Sequence, residues 1–562
     1  MVADTSSLYD LHQVYNYVVV GGGTAGSVVA NRLSEDPRFS VLVLEAGGNS
    51  VGDPRITLPG LAANTYFDPE FDWCLTSTPQ EALNGRRIAE PRGRTLGGSS
   101  AINLGMAIYP RNSGWNWGCL SGYIRKSQTF TPPSDEIRDQ LSLDYIDPAV
   151  QGTSGPVHVS FGNGPFSAFN AAWPRTFDAL NHRLTGDPIH AGVAYYDDEA
   201  AQRINLRVVT EALVERIILD KTREGDVIAT GVQFVGKDGI RRAISAATEV
   251  IMAAGAIKTP HLLELSGIGN ADLLQTHGIE PLINNPNVGE NLQEHGFVPF
   301  SWEVADGQVT GEALRDPEIA KVAMEAWQSS GAGPLGLCPI SSAFMTLPEL
   351  RDGELQGLLK RYLDKEVPQS RTAQYQILRQ LLEDAPAPRE SIYGMSEPEC
   401  FVSIVAVLNR PFSRGFVHLS SPDPTVLPIF DPKMLSHPLD LELQARHVRW
   451  LETLAETEPM ASLLKPNGRR LHHPKQVSSL ETARELTRDR IVAHYHVVGT
   501  AAMMPRDLGG VVDDQLMVYG CRNLRVVDAS IIPLIPRGNI QATVFAVAEK
   551  AADIIKGADN GA

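Results

Sequence analysis

Two histidines flank a tyrosine in a segment that could do proton-transfer chemistry, His494-Tyr495-His496-Val497-Val498-Gly499-Thr500. Imidazole has an ordinary pKa close to neutral pH, so either ring could act as a general base, or could lie buried and satisfied by the backbone. In an extended segment the two side chains share a face, so the pattern alone does not choose between them. A two-histidine metal site is a further interpretation, but the sequence shows no matching third ligand, and we expect no metal.

A glycine-rich turn near the N-terminus has the spacing of a phosphate-binding loop. Gly21-Gly22-Gly23-Thr24-Ala25-Gly26 fits G-x-G-x-x-G, whose glycines permit a tight turn, backbone approach to a pyrophosphate, and close helix–strand packing. The helix that follows offers free N–H groups and a positive dipole end to phosphates. Glu45 ends the next strand, where its carboxylate could accept hydrogen bonds from a ribose diol. A glycine turn without a ligand is the alternative, and the motif does not separate FAD from NAD.

The elements around this loop form a βαβ unit in the sequence pattern. Apolar β-branched runs at 15–20 and 40–44 flank a helical stretch at 25–33, and more β-like runs occupy 205–220 and 229–252. Thr259-Pro260 opens a helix that Gly267 can close, because threonine caps, proline suits a first turn and glycine ends helices. Residues 312–390 look more helical and polar, 524–527 read as a strand, and 540–555 as a final helix.

The bulk properties restrict the class of protein. A chain of 562 residues is too long for one simple core and predicts two domains. A formal net charge of -17 disfavours nucleic acid and anionic membranes as partners. Five scattered cysteines without a CxxC pair argue against a disulfide framework or a zinc site.

Targeting signals are not evident in the sequence. Residues 1–12 are polar and lack the apolar core of a signal peptide, and no Asn-x-Ser/Thr site occurs. There is also no run of about 18 apolar residues, the length that a membrane span needs. These features predict a cytoplasmic chain without a membrane span, although a leader could have been removed.

Two long segments of the chain form extended motifs. The first is Gly93-Arg94-Thr95-Leu96-Gly97-Gly98-Ser99-Ser100-Ala101-Ile102-Asn103, and the second runs from Gly255-Ala256-Ile257-Lys258-Thr259-Pro260-His261 to Gly269. They resemble the signatures of the glucose–methanol–choline (GMC) oxidoreductases, a family of FAD enzymes with fungal members. Val288-Gly289-Glu290-Asn291-Leu292-Gln293-Glu294-His295, Gly510-Val511-Val512-Asp513 and Leu524-Arg525-Val526-Val527-Asp528-Ala529-Ser530 are similar to further family segments. The resemblance extends from residue 15 to 556 and is thin between 300 and 400.

The resemblance implies an α/β fold with two interleaved domains. We expect a discontinuous Rossmann-like FAD-binding domain, with a substrate domain of antiparallel sheet plus helices inserted between its pieces. The expected FAD-binding segments are 1–50, 85–115, 205–300 and 500–562. The expected substrate-binding segments are 51–84, 116–204 and 301–499.

The cofactor implied by the resemblance is FAD. Some family members bind flavin covalently through a histidine in the first signature, but here Ile102 precedes Asn103, which implies non-covalent FAD. Val214 would offer its backbone to the adenine, and Asp528 would face the ribityl chain or pyrophosphate. The loop glycines and the family pattern together predict these cofactor-binding residues: Gly21, Gly23, Thr24, Ala25, Gly26, Glu45, Ala46, Trp73, Gly98, Ser99, Asn103, Met106, Val214, Ala254, Asp528, Ala529, Ile540 and Gln541.

The resemblance also selects the catalytic residues. The family places a histidine directly before x-Val-Gly-Thr, which falls on His496, and a His or Asn at a second position, which falls on Asn539. Asn539 is also a good N-cap for the helix that follows it. That helix would point its positive end at the flavin, and Asn539 could hydrogen-bond a substrate oxygen but not exchange its proton. We therefore expect His496 to be the general base and Asn539 to position the substrate.

Two stretches are shorter than the family pattern. They are Arg111-Asn112-Ser113-Gly114 and the run from Asp187 to Ala194, both in places that border the flavin or the site entrance in the family. Either this chain has a more open site, or it is a shortened variant.

The expected function is oxidation of an alcohol (CH–OH) by hydride transfer to flavin N5, with oxygen or another electron acceptor. The expected substrate is a small molecule that is apolar or aromatic, because Trp302, Trp327, Phe344, Tyr393 and Phe401 could line a pocket, although core packing is an ordinary role for each. The alternative is a redox-silent lyase or dehydrating cyclase that keeps FAD as a scaffold. A light-driven flavin decarboxylase or a non-enzymatic flavin protein is disfavoured by the presence of His496 and Asn539.

Overall fold

The computed structural model describes residues 8, 11–103, 106–107, 117–144, 146–161, 167–180, 189–190, 195, 198–223, 225–330, 333–336, 340–345, 350, 352–365, 367–384, 389–394, 400–471 and 476–559. The strands are Val14–Val20 (β1), Val41–Leu44 (β2), Leu75–Thr76 (β3), Ala89–Glu90 (β4), Met106–Ala107 (β5), Gln128–Thr131 (β6), Val157–Ser160 (β7), Ile189–His190 (β8), Leu206–Val209 (β9), Leu213–Lys221 (β10), Val227–Val235 (β11), Arg241–Met252 (β12), Ile268–Gly269 (β13), Ile283–Asn284 (β14), Gly296–Glu303 (β15), Ile340–Met345 (β16), Arg389–Gly394 (β17), Phe401–Leu408 (β18), Phe416–His418 (β19), Ile429–Asp431 (β20), Val492–Ala493 (β21), Cys521–Arg522 (β22) and Leu524–Val526 (β23). The helices are Thr24–Leu33 (α1), Pro54–Thr57 (α2), Trp117–Ser127 (α3), Asp135–Leu141 (α4), Ala168–Ala179 (α5), Asp198–Ala201 (α6), Gly255–Leu265 (α7), Ala271–Thr276 (α8), Pro317–Ser330 (α9), Asp352–Leu363 (α10), Gln369–Asp384 (α11), Pro438–Glu456 (α12), Leu480–Arg490 (α13) and Gln541–Asp559 (α14).

A large mixed sheet forms the nucleotide-binding part of the fold. Its strand order is β10-β11-β12-β1-β2-β9, and β22 and β23 pair with β11 and β12. The pairs β12–β1, β1–β2 and β2–β9 are parallel, whereas β10, β11 and β12 are antiparallel neighbours. Residues Tyr17 to Val20 of β1 are almost fully buried, as expected for a central parallel strand covered on both faces. The predicted α/β, Rossmann-type architecture is confirmed.

The parallel register places the predicted dinucleotide residues at one edge of this sheet. Val20 lies opposite Leu44 of β2 and Met252 of β12, so the loops after all three strands begin side by side. Those loops carry Gly21 and Glu45, and open α/β sheets bind ligands in this position, outside the carboxyl ends of the strands.

A second sheet is antiparallel and lies under helices. Its order is β16-β17-β18-β15-β21, and β15 runs against β18 from Gly296 opposite Leu408 to Glu303 opposite Phe401. Helix α12 packs on β18 and on α13, and most of its residues are buried. The expected antiparallel sheet with helices is therefore present, and the domain boundaries given above remain a proposal.

Helix α7 begins earlier than Thr259-Pro260 predicts. Its first residue is Gly255, because the carboxylate of Asp528 accepts hydrogen bonds from the N–H of Gly255 and the hydroxyl of Thr259. Pro260 then falls inside the helix and cannot donate to the carbonyl of Ala256. That carbonyl instead accepts a hydrogen bond from the hydroxyl of Thr500 at 2.5 Å. The predicted start was wrong because both compensating groups come from distant segments.

Other sequence expectations agree with the structure more closely. The β-like runs at 229–252 are two antiparallel strands, β11 and β12, joined at Lys237-Asp238-Gly239 with Gly239 at a φ of 71°. Residues 312–390 contain helices α9, α10 and α11 as expected, but also strand β16 and the start of β17. No helix in the described part of the chain is both long enough and apolar enough to cross a bilayer.

Arg525 of β23 and Glu249 of β12 form a buried ion pair between two neighbouring strands of the large sheet. We expect this ion pair to be needed for stability. Arg525 donates to both oxygens of Glu249, at 2.7 and 2.9 Å, and the two side chains are 6% and 12% exposed. Arg525→Met leaves a buried carboxylate without its partner, which typically costs about 3–5 kcal/mol in the free energy of unfolding. The measurement is thermal and urea unfolding of the variant against the unsubstituted protein.

Two further variants test the electrostatic origin of that loss. In Arg525→Met with Glu249→Leu both charges are removed, so much of the lost stability is expected to return. Arg38→Met is the exposed control, since Arg38 pairs with Asp36 with 71% of its side chain in solvent, and about 0–1 kcal/mol is expected there. A double variant that is less stable than Arg525→Met would contradict this account.

Candidate active site

A cavity of about 710 Å³ lies between the edge of the large sheet and the antiparallel sheet. Both predicted catalytic residues, His496 and Asn539, line it. The predicted cofactor residues that line it are Gly21, Gly23, Thr24, Ala25, Glu45, Ala46, Trp73, Gly98, Ser99, Asn103, Val214, Ala254, Asp528, Ala529, Ile540 and Gln541. Gly26 lies behind the wall, and the side chain of Met106 is outside the described part of the chain.

The glycines of the phosphate loop differ in their surroundings: Gly21 and Gly26 are tightly packed, whereas Gly23 faces open space. Gly21 has a φ of 104°, and a Cβ there would lie 2.6 Å from the carbonyl oxygen of Ala253. A Cβ on Gly26 would lie 1.9 Å from the carbonyl oxygen of Gly21. On Gly23 the nearest atom would be 3.7 Å away, at Gly98, so the space over Gly23 is left for a ligand. A pyrophosphate at the start of α1 fits this cradle.

Glu45 is oriented by the backbone at the end of β2. Its two oxygens accept hydrogen bonds from the N–H groups of Gly22 and Gly47, both at 2.8 Å. Burial raises the pKa of its carboxyl group to about 7. The carboxyl group is therefore held in a fixed orientation at the wall of the cavity, as the proposed contact with a ribose diol requires.

The first signature segment packs directly on the phosphate loop. Gly98 has a φ of 56°, and a Cβ there would lie 2.8 Å from the Cα of Gly23. Gly98 therefore packs against the backbone of the phosphate loop. Asn103 donates to Gln541 at 2.7 Å, which ties the segment to the start of α14. Ile102, which lines the cavity before Asn103, has no nucleophilic group, and this supports the proposal of non-covalent FAD.

Asp528 has a structural role in addition to the predicted cofactor contact. One oxygen accepts from Gly255 and Thr259, at 2.9 and 2.6 Å, and the other accepts from the N–H of Ser530 at 2.8 Å. The carboxylate therefore anchors the start of α7 and the turn after β23. Replacing Asp528 would therefore change the shape of the cavity wall that it lines.

Two cations flank Trp73, and the sequence analysis did not assign them. The Nζ of Lys258 lies 4.8 Å from the centre of the Trp73 ring, and the guanidinium carbon of Arg94 lies 5.1 Å from it. Burial and the nearby charge of Arg94 lower the pKa of Lys258 to about 8. Lys258 lines the cavity beside Trp73 and gives this end of it a positive charge at neutral pH.

The two histidines of the proton-transfer segment are adjacent, although the segment is not extended. Tyr495 has a φ of 63°, a left-handed conformation that is uncommon for a residue with a side chain. The buried carboxyl group of Glu294 holds this turn, accepting from the N–H of His496 at 2.8 and 2.9 Å and from that of His494 at 3.2 Å. The imidazole centres of His494 and His496 lie 4.3 Å apart. The segment is not a strand here, because β21 ends at Ala493.

A third histidine completes the cluster. His295 places a ring nitrogen within 4.8 Å of ring nitrogens of His494 and His496. The sequence shows no matching third ligand, but the fold supplies a third histidine, because β15 and β21 pair and bring residue 295 beside residue 494. The Nδ1 atoms of His295 and His496 lie 3.0 Å apart, in hydrogen-bond contact with each other. The expectation of no metal stays a prediction.

Burial keeps all three imidazoles neutral at physiological pH. It lowers the pKa of His295 to about 3 and that of His494 to about 4. Burial, followed by His494, His295 and Arg92, holds the pKa of His496 well below its ordinary value. A neutral imidazole has a free lone pair, which is the form that a general base needs.

Asn539 makes the helix-start contact considered for it, and its role in positioning the substrate stays a prediction. Its side-chain oxygen accepts a hydrogen bond from the N–H of Gln541, the first residue of α14, at 3.0 Å. Its side chain is nearly buried and lines the cavity. The oxygen thus stabilises the helix start, and the amide NH₂ remains as a donor for a ligand.

The end of the cavity near the histidines is mostly apolar. The residues there that were not selected from the sequence include Tyr66, Phe297, Pro299, Ser403, Val405, Val492 and Tyr495, together with the charged side chain of Arg92. Of the aromatic residues considered for the pocket, Trp302, Trp327, Phe344 and Phe401 do not line it, and Trp302 and Phe401 are core residues. The side chain of Tyr393, the Arg111 to Gly114 stretch and most of the Asp187 to Ala194 stretch lie outside the described residues.

A Rossmann-type sheet whose phosphate loop opens into a histidine-lined cavity is the arrangement of a dinucleotide-dependent oxidoreductase. Comparison with known proteins gives the family. The family model described as GMC oxidoreductase matches residues 15–160 and 186–297 with its N-terminal part and residues 411–548 with its C-terminal part. The chain belongs to the GMC oxidoreductase family and is an FAD-dependent oxidoreductase.

Individual relatives match over nearly their whole length. Dehydrogenase mpl7 of Monascus purpureus is 34% identical, with 96% of each chain covered. Among solved structures, an FAD-dependent oxidoreductase from Chaetomium thermophilum has a TM-score of 0.86 at 26% identity, covering 97% of this chain and 100% of that one. A fungal aryl-alcohol oxidase has a TM-score of 0.83 at 28% identity, covering 98% and 100%. The open cradle over Gly23 and the fixed carboxyl group of Glu45 fit the FAD that these comparisons support.

Proposed function

We propose that this chain oxidises an alcohol to a carbonyl compound, with His496 as the general base and Asn539 as the residue that positions the substrate oxygen. The observation that carries the proposal is that both side chains line the same cavity as the dinucleotide-binding residues. Bound FAD supplies the hydride acceptor, N5 of its ring. The protein must then bind the alcohol beside a base and keep water away.

The residues of the site divide this work between them. Neutral His496 accepts the hydroxyl proton as the C–H hydrogen leaves with its electron pair, so the products are a carbonyl and a protonated imidazole. The amide NH₂ of Asn539 donates to the same oxygen and holds it near His496. The N-terminus of α14, two residues further on, adds a positive dipole end at that place.

The walls of the cavity favour an apolar or aromatic alcohol. Phe297, Pro299, Val405 and Val492 offer no charge to a substrate, and Ser403 adds one hydroxyl group. The likeness to a fungal aryl-alcohol oxidase supports the same class of substrate. The electron acceptor that completes the cycle is oxygen or another oxidant.

Anaerobic mixing with alcohols tests the proposal. The FAD-loaded protein is mixed without oxygen with a panel of primary, benzylic and allylic alcohols, and the visible flavin band is followed. We expect benzylic and allylic alcohols to bleach the band, because their C–H bonds are activated and their apolar bodies match the cavity. No bleaching by any alcohol, together with conversion of a hydroxylated compound without redox change, would instead identify a lyase or dehydrating cyclase.

A further inference from the structure

His295 contacts His496 but does not line the cavity, and its place is set by the sheet register. It directly precedes β15, and Gly296 lies opposite Leu408, so residue 295 faces the chain just after β18. There its Nε2 lies 3.0 Å from the carbonyl oxygen of Asn409. Its Nδ1 lies 3.0 Å from Nδ1 of His496, and the two rings meet edge-on at 83°. His295 is fully buried.

The hydrogen bonds determine which nitrogens carry protons. A neutral imidazole has one N–H and one lone pair, and both rings are neutral at physiological pH because burial lowers their pKa values. A carbonyl oxygen can only accept, so Nε2 of His295 carries the proton that bonds Asn409. Nδ1 of His295 is then bare and can only accept.

The tautomer of His496 follows from that of His295. Because Nδ1 of His295 accepts, Nδ1 of His496 must donate, and Nε2 of His496 is left with its lone pair. We propose that His295 is a positioning residue that locks His496 in the tautomer whose Nε2 is free to take a proton from the substrate. The proposal rests on the function proposed above, since it concerns how His496 acts as a base. A histidine held in the wrong tautomer has little activity as a base, as the catalytic triads illustrate.

Variants of His295 test this role. In His295→Leu the acceptor is lost, His496 can turn its proton toward the substrate, and we expect alcohol-driven flavin reduction to slow by roughly 100-fold, the lower range of a general base's contribution. In His295→Asn the side-chain oxygen replaces Nδ1 as acceptor, and most of the rate is expected to return. His447→Leu is the matched control, because His447 is also fully buried and bonds a side chain, Ser391, at 2.9 Å away from the cavity. That variant is expected to reduce its flavin at the unsubstituted rate.

Two outcomes separate failure of this proposal from failure of the proposed function. If His496→Gln abolishes flavin reduction but His295→Leu, with FAD bound, reacts at nearly the unsubstituted rate, the tautomer lock is overturned and the base is kept. If His496→Gln itself reacts normally, the proposed function fails first. A large loss in His295→Leu without recovery in His295→Asn would assign His295 a packing role and also overturn the lock.

Nitrogen NMR tests the lock without catalysis. The unsubstituted holoprotein is labelled with ¹⁵N-histidine, and the signals of His295 and His496 are assigned by their loss in His295→Asn and His496→Gln. We expect opposite neutral tautomers, with the proton on Nε2 of His295 and on Nδ1 of His496. A proton on Nε2 of His496 would overturn the proposal, whatever the activity and even if His295→Leu failed to fold.

Discussion

His496→Gln is expected to lower the rate of alcohol-driven flavin reduction by about 10²- to 10⁴-fold, the usual contribution of a general base. Glutamine retains the size and polarity of the side chain but cannot take up a proton at physiological pH. FAD content should not change, because the Gly21 to Gly26 loop and Glu45 lie at the sheet edge, in other segments of the chain. Rapid-mixing spectroscopy of the flavin band with one benzylic alcohol measures the rate directly.

His494→Gln is the matched control for that substitution. His494 lies beside His496 in the same cavity, and its Nδ1 is buried without a hydrogen-bond partner in the described part of the protein. Its loss removes packing around the base, and we expect a change within about tenfold, the size of one lost hydrogen bond or less. If His494→Gln slows reduction more than His496→Gln does, the base has been assigned to the wrong histidine.

The pH dependence of reduction gives a second signature of His496. Its pKa lies well below the ordinary value because of burial and the neighbouring His494, His295 and Arg92. The base form is therefore present throughout the neutral range, and the rate should stay level as pH falls toward 6. A fall centred near the ordinary histidine pKa of about 6.5 would contradict this. Unfolded histidines take up protons near that pH while the buried cluster does not, so stability decreases below it and limits the acid side of the profile.

The nucleotide-binding half of the fold could be predicted because its signals are local. The apolar run of β1, the turn at Gly21 and the helix after it lie within about one βαβ unit of sequence. The start of α7 could not be predicted in this way, because Asp528 caps Gly255 from 273 residues away. The hairpin between β11 and β12 did have a local signal, Asp238-Gly239, which typically marks a tight turn.

In the candidate site, too, the residues in local motifs could be predicted and the contacts between distant segments could not. His496 and Asn539 lie in recognisable sequence motifs, and both line the cavity. His295 is in a segment that was also singled out, yet its contact with His496 depends on the register of β15 against β18 and β21. No single stretch of sequence encodes that register. The identity of the cavity's apolar walls had the same origin, since Phe297 and Val405 belong to two paired strands.

Gly23→Ala is expected to weaken FAD binding by about 10- to 100-fold while leaving the fold intact. A Cβ on Gly23 meets nothing closer than 3.7 Å, so the protein itself can accommodate it. The same methyl group would occupy the space where a pyrophosphate approaches the backbone, and overpacking of this kind costs about 1–3 kcal/mol. Titration of the apoprotein with FAD, followed by flavin fluorescence, measures the change in Kd.

Two other glycines separate loss of the cofactor from loss of the fold. A Cβ on Gly26 would lie 1.9 Å from the carbonyl oxygen of Gly21, so Gly26→Ala should lower the melting temperature of the apoprotein as well as FAD affinity. Gly122, exposed in helix α3, meets nothing within 4 Å, and Gly122→Ala should leave FAD affinity unchanged and stability equal or slightly higher. Unchanged FAD affinity in Gly23→Ala would place the pyrophosphate elsewhere in the cavity and would contradict the cofactor orientation on which the role of His496 depends.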